Sequence, residues 1–342
     1  MSHNISQTRI CVQQILPHDK DEFNFIHNSE HSPELEKRLK ASFFTKKLWP
    51  KESKIRIGFL GNGNNVPRTN LSGEKNVDPL QNKVENMSVK EAVKKIVNER
   101  IKPLVDLDIN FVENIYQANV RVAFDPDGGA WSLVGTDHLH EKDHTKSTIN
   151  LGWFDVGTTI HEFCHMLGMI HEHQNPRGQN IQWDVPKVLN WAKETQGWSE
   201  ETTKENIINK YDKSFINGSD FDPLSIMLYF FPSDLTTNGI GTKQNFQMSG
   251  LDVQWINHMY QKNKNGDEDI AEIFKSFYPN ETLETNIIKS KNLSYKQGED
   301  NADSNINWKI LKFGVGIILL TLVLSTLISG LLRKKQSNRR YR

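Results

Sequence analysis

The chain has only two cysteines, Cys11 and Cys164, in 342 residues. One lies in a polar N-terminal stretch and the other in a helix-forming run, so a disulfide framework is excluded as the source of the fold. Secreted domains of this size often carry disulfides, and their absence leans towards a reducing compartment. An excess of either charge is lacking as well. The 42 Lys and Arg residues balance 42 Asp and Glu, which leaves no electrostatic footprint for a nucleic-acid partner. The opening MSHNISQTRICVQQILPHDK has no apolar h-region, so no signal peptide is expected. No internal repeat is evident. The length suits one large domain or two small ones.

What is present is concentrated in HEFCHMLGMIHEH, residues 161–173. His161 and His165 stand at i and i+4, so a helix brings both imidazoles to one face. Gly168 lets the chain leave that helix in a conformation closed to residues with a Cβ, and the turn returns His171 as a third ligand. Three neutral imidazoles with a fourth position left for water is the open arrangement of a catalytic zinc rather than a closed structural one. Glu162, beside the first histidine, is placed to reach that water. An isolated HExxH arises by chance in helices that bind nothing. The fuller H-E-x-x-H-x-x-G-x-x-H fixes five positions and makes a merely histidine-rich helix end the poorer reading.

The rest of the chain arranges itself around this helix. Residues 1–46 read as a polar N-terminal extension, a solvated leader in preference to a prosegment over the metal; no Cys or Asp in it stands out as a blocking ligand, and Cys11 is the only candidate. Ile55, Ile57 and Phe59 alternate as in a strand. The following GNGNN lacks the third glycine and the helix of a dinucleotide loop. Val89, Ala92, Val93, Ile96, Val97 and Ile101 repeat at the helical period, and Pro103 ends the run. INFVEN, VRVAFD, AWSLVGTD and STINLGW read as strands or strand ends. Asp125 and Asp127 belong to an Asp-Pro-Asp-Gly turn that needs no calcium. Thr158 or Thr159 is placed to cap the metal helix. Downstream, Ser225-Ile226-Met227-Leu228-Tyr229 can form an apolar floor under the histidines. SGLDVQWINHMY reads as a further helix. KNKNGDEDIAE misses a calcium loop at Gln261 and Glu268.

Together these segments resemble the astacin-like metzincins, zinc endopeptidases with a signature close to HExxHxxGxxHE and a Met-turn close to SxMxY. His161, Glu162, His165, Gly168, His171 and Glu172 match the first motif, and Ser225, Met227 and Tyr229 the second. LWPKESKIRIGF is similar to the start of the family's mature domain, and the resemblance covers roughly residues 47–262. It implies an α+β fold with a twisted sheet and active-site helix above a zinc cleft and a less regular lower subdomain. It implies one Zn2+ on His161, His165 and His171, with Tyr229 as a mobile fifth ligand that stabilises the transition state. Glu172 would make a buried structural or N-terminus-linked contact. Leu228 departs from the usual histidine, Met169 from a common aromatic, and the family's disulfide cysteines are missing.

The expected activity is hydrolysis of protein or peptide substrates by zinc-activated water, with Glu162 as general base and acid. Substrate would lie extended along an edge near Ala130–Gly135. The alternative is a catalytically inactive metzincin-like binding module on a membrane, which would usually have lost a ligand or the base. Residues 263–312, rich in Asn, Lys, Asp and Glu, read as a polar tether. The uncharged run at 313–332, FGVGIILLTLVLSTLISGLL, has the length of a transmembrane helix and would make the lipid bilayer a partner. The basic tail at 333–342 favours a cytoplasmic C terminus. Two topologies stay open. Sites such as Asn70, Asn217 and Asn280 suit a lumenal or extracellular catalytic domain. The missing leader suits a tail anchor with a cytosolic one, which is preferred. Oligomeric state is left open.

Overall fold

The computed structural model describes residues 11–14, 43–175, 181–210, 216–217, 221–260 and 267–299. Two short strands come first, β1 (Val12–Gln14) and β2 (Phe43–Phe44), followed by β3 (Lys54–Phe59), α1 (Leu80–Val84) and α2 (Val89–Ile96). Next are β4 (Asp108–Phe111), β5 (Val120–Ala123), β6 (Ala130–Leu133), β7 (Ile149–Leu151) and the metal helix α3 (Val156–Met166). After it the strand content falls away: α4 (Val185–Gln196), α5 (Glu200–Thr203), β8 (Ile216–Asn217), α6 (Gly250–Tyr260), α7 (Asp267–Phe277) and α8 (Leu283–Glu299).

One six-stranded sheet runs in the order β1-β6-β7-β5-β3-β4. Every pair in it is parallel except β6 with β7. Its middle strands are buried on both faces, as parallel strands covered by helices must be. In β7 Ile149, Asn150 and Leu151 are all buried, and in β5 so are Val120, Arg121 and Val122. Arg121 is tolerated there because its guanidinium donates to the carbonyls of Lys146, Ala118 and Glu141. The α2 stripe Val89, Ala92, Val93 and Ile96 faces the core, and Ser88 caps the helix by accepting from the Glu91 N–H. Beyond Ile96 the coil widens into π turns over Val97–Ile101 before Pro103 closes it. The α+β arrangement expected for a metzincin-type catalytic domain is therefore present.

The metal helix is fixed at both ends. Its N-cap is Asp155, not Thr158 or Thr159. Asp155 accepts from the Thr158 N–H at 2.7 Å and the Thr158 hydroxyl at 2.9 Å, so the threonine serves the cap as a donor. At the other end, the Trp49 indole donates to the Met166 carbonyl at 2.7 Å and the Tyr260 hydroxyl to that of Leu167 at 2.6 Å. Buried carbonyls of the last turn thus find partners from distant segments. Gly168 follows at φ +95°, in the region that favours glycine.

Two expectations from sequence are corrected. The stretch 263–312 reads as a tether, but within it α7 and α8 pack on the catalytic core. Phe274 and Phe277 are buried, and so are Ile270, Tyr278 and Leu283. The Met248 N–H donates to the Tyr278 hydroxyl, and the Gly250 N–H to Asn286. The polar composition belongs to the outer faces of two amphipathic helices.

The second correction concerns the membrane. Among the described residues no helix is long and apolar enough to cross one. The longest, α8, covers 17 residues and carries Lys and Glu throughout, against the roughly 20 apolar residues that a span requires. The run 313–332 and the basic tail at 333–342 lie outside the described residues, so only hydropathy suggests a span there. Transmembrane helix, single-pass membrane localisation and the bilayer as partner are accordingly withdrawn. Phe274→Ala is expected to lower stability by about 3–5 kcal/mol, read as a lower denaturation midpoint at unchanged slope. A surface-like loss below about 0.5 kcal/mol would mean that α7 does not belong to the core.

Candidate active site

Along α3, the i, i+4 spacing brings the rings of His161 and His165 to 4.8 Å between centroids. The turn at Gly168 places His171 at 4.6 Å from His165 and 5.4 Å from His161. One ring nitrogen from each of the three lies within 4.8 Å of the others. The second nitrogen of each ring fixes its tautomer. His161 Nδ1 is 2.8 Å from the Ile226 carbonyl and His165 Nδ1 is 2.7 Å from that of Met169. A carbonyl only accepts, so both Nδ1 atoms carry the proton. His171 Nδ1 faces Gln174 Oε1 at 3.3 Å. The Gln174 amide nitrogen already donates to the carbonyls of Glu205 and Asn209, which leaves its oxygen to accept.

All three Nε2 atoms therefore present lone pairs. His165 Nε2 and His171 Nε2 sit 3.0 Å apart with no proton between them, and His161 Nε2 is buried without a hydrogen-bond partner. Burial holds His161 at a pKa of about 4 and drives His165 and His171 well below the ordinary value. Three neutral imidazoles whose lone pairs face one another are unfavourable alone and complementary to a cation. The donor set fits a single zinc ion with a further position open.

The floor is the turn Ser225–Tyr229. Met227 is fully buried, and its carbonyl accepts from the Glu172 N–H at 3.0 Å. Asp252 of α6 accepts from the Ser225 hydroxyl at 2.7 Å, the Ile226 N–H at 2.8 Å and the Ser249 N–H at 2.9 Å. Burial, with Asp222 nearby, pushes its pKa up to about 7 against the pull of those donors. Glu172 does not point at the metal. Its carboxylate accepts from the Asp222 N–H and Asn175, which makes it part of the scaffold below.

Glu162 is buried, and neither carboxylate oxygen has a hydrogen-bond partner within the usual distance. Burial raises its pKa well above the ordinary carboxylate value. Cys11 Sγ, a His161 ring nitrogen and a Glu162 oxygen lie within 4.8 Å of one another. The Cys11 thiol is itself pushed up by burial and by the facing Glu162. The Tyr229 hydroxyl donates to the Cys11 carbonyl, and its ring centroid is 4.1 Å from that of His171. A small cavity beside His161 is lined by Cys11, Thr158, Leu228, Phe230 and Asn245 among others.

The structure thus brings together all the sequence-expected residues: His161, His165, His171, Glu162 and Tyr229. Sequence reading missed Gln174, which sets the tautomer of His171. It also missed His173, whose ring stacks on His171 at 5.4 Å and lies tilted against Tyr229 at 5.0 Å. The run H-E-H-Q held both, but only the first histidine had a spacing argument.

The fold and this histidine constellation define a zinc metalloendopeptidase. The model of the astacin peptidase family matches residues 82–261, and the chain belongs to that family. Among solved structures, one of myroilysin is 31% identical, spanning 65% of this chain and 100% of that one at a TM-score of 0.54. A second myroilysin crystal structure is 27% identical over 73% of this chain and 99% of that one, with a TM-score of 0.42. High choriolytic enzyme 1, a hatching-enzyme zinc protease of the medaka Oryzias latipes, is 14% identical over 66% and 100%, with a TM-score of 0.36. No curated protein matches.

His138 offers a pH test at a histidine outside the ligand set. It is buried, donates through Nε2 to the Leu133 carbonyl, and burial lowers its pKa from 6.5 to about 3. As pH falls below 6.5 the unfolded chain takes up a proton that the folded one refuses, so stability falls by up to about 1.4 kcal/mol per pH unit. Chelator-treated protein is expected to lose stability steadily from pH 6.5 towards about 4. His138→Gln should follow a shallower slope; an equal slope would reject the buried neutral histidine as a contributor.

Proposed function

We propose that His161, His165 and His171 hold the zinc and that Glu162 is the general base and acid of peptide-bond hydrolysis. The observation that carries this reading is the convergence of three unprotonated Nε2 atoms beside the buried carboxylate of Glu162. When bound, zinc supplies Lewis acidity, polarising a carbonyl and acidifying a water. Glu162 takes the proton from the attacking water at a carboxylate oxygen and delivers it to the leaving amine nitrogen. Its burial favours the protonated form that the second transfer requires. Tyr229 donates its hydroxyl to the oxyanion of the tetrahedral intermediate once that hydroxyl is released from Cys11.

We infer further that residues before 47 act as a prosegment. Cys11 Sγ lies within 4.8 Å of a His161 ring nitrogen and of a Glu162 carboxylate oxygen. β1 pairs with β6, Val12 opposite Trp131 and Gln14 opposite Leu133, and so covers the edge proposed for substrate. The Tyr229 hydroxyl is engaged by the Cys11 carbonyl. Substrate is then an extended peptide that needs the β1 segment displaced before it can add to β6.

Glu162→Gln is expected to retain about one zinc per chain while losing peptide hydrolysis by about 10²–10⁴-fold. Near-normal cleavage would remove Glu162 from the mechanism. Cys11→Ala in the full chain should raise cleavage of an unstructured peptide severalfold over wild type. No gain, with zinc bound in both, would mean that Cys11 does not restrain the site.

A further inference from the structure

We propose that Asp252, on the far side of the Met-turn from the cleft, is a positioning residue for the zinc ligand His161. The inference rests on the reading of His161 as a ligand. Its path is short and made of hydrogen bonds. Asp252 accepts from the Ile226 N–H at 2.8 Å and from the Ser225 hydroxyl at 2.7 Å. The carbonyl of the same Ile226 accepts from His161 Nδ1 at 2.8 Å. One residue is therefore held at its N–H by a carboxylate and at its C=O by the imidazole, so the carboxylate sets where the imidazole must point.

Asp252 is itself fixed. The Ser249 N–H donates to its carboxylate at 2.9 Å, and its own N–H donates to the Ser249 hydroxyl at 2.9 Å. This reciprocal pair locks the first turn of α6. On the other side, Asn245 donates to the carbonyls of Pro223 and Ser225 and steadies the chain entering the turn. The carboxylate is 2% exposed, and the partners named here are neutral donors. A buried carboxylate held only by neutral donors, with Asp222 nearby, is costly. Ser249 already caps the helix, and a neutral Asn or Gln at the position of Asp252 could accept from the Ser249 N–H at lower cost. A carboxylate has the acceptor capacity to take three donors from two separate elements at once, and an amide oxygen does not replace both of its oxygens. Groups that orient metal-bound histidines typically change metal affinity by about 10–100-fold when altered.

The test is zinc affinity of the full chain, measured by competition with a chromophoric chelator, together with the visible spectrum of the cobalt-substituted protein. Asp252→Asn is expected to weaken zinc binding by about 10–100-fold and to shift the cobalt bands. Phe274→Ala serves as the control. It destabilises the fold while removing none of the hydrogen bonds named above, and its zinc affinity and cobalt spectrum should match wild type. Wild-type affinity and spectrum in Asp252→Asn would overturn the proposal, as would an equal affinity loss in Phe274→Ala. Should Asp252→Asn fail to fold, Ser225→Ala removes one of the donors. A smaller loss of affinity supports the proposal, and no loss overturns it. A wild-type chain that binds no zinc at all would instead strike the ligand reading on which the inference stands.

Discussion

Everything near the cleft depends on keeping three imidazoles neutral, buried and turned the same way. Burial alone achieves the neutrality, since charging any of these rings inside the protein would cost several kcal/mol. Orientation is achieved differently for each ring, through an Nδ1–H that must find an acceptor. His161 takes the Ile226 carbonyl, His165 that of Met169, and His171 the Gln174 side chain. The Met-turn, the helix exit and the short turn after His171 are thus three separate parts of one coordination device. The turn at Gly168 serves two of them, because it both returns His171 and presents the Met169 carbonyl to His165.

The lower half of the molecule is irregular in secondary structure but not loosely held. Glu172, Asp222, Ser249, Asp252 and Ser290 form a buried polar network that ties the histidine motif to α6 and α8. Low-dielectric surroundings strengthen such bonds and make any break in them costly. Above it, Asp78 and Arg100 form a buried two-point ion pair, with the Tyr278 hydroxyl donating to the same carboxylate. The last described helices thereby reach both halves. They lie outside the segment matched by the family model, which ends at 261, yet their side chains complete its interior.

Much of this was legible locally. The spacing of His161 and His165, the glycine at 168 and the stripe from Val89 to Ile101 follow from helical geometry alone, and the structure keeps all three. The alternation of Ile55 and Ile57 likewise marks β3. What could not be read was tertiary. Gln174 matters because Glu205 and Asn209 fix its amide, and Asp252 because α6 is brought beneath residues 225–226. Neither pairing leaves a trace in local pattern. Composition misled at 263–312, where Asn, Lys and Glu outnumber the apolar residues. Ile270, Phe274 and Phe277 nonetheless keep a helical spacing that marks a buried face. The apolar run at 313–332 lies outside the described residues, and hydropathy by itself specifies neither a helix nor a surrounding bilayer.

The pairing of β1 with β6 bears on the order in which the molecule assembles. A parallel ladder between Val12–Gln14 and a strand that begins at Ala130 closes a long loop for very few hydrogen bonds. Such contacts form after the local and better-buried ones that create their edge. The first strand of the chain is therefore the last of the sheet to have somewhere to go. On the proposed reading, each new copy completes its hydrolytic centre before it covers it. How long that centre stands open during biosynthesis is then a matter of folding rate, which the stability of the finished protein does not determine.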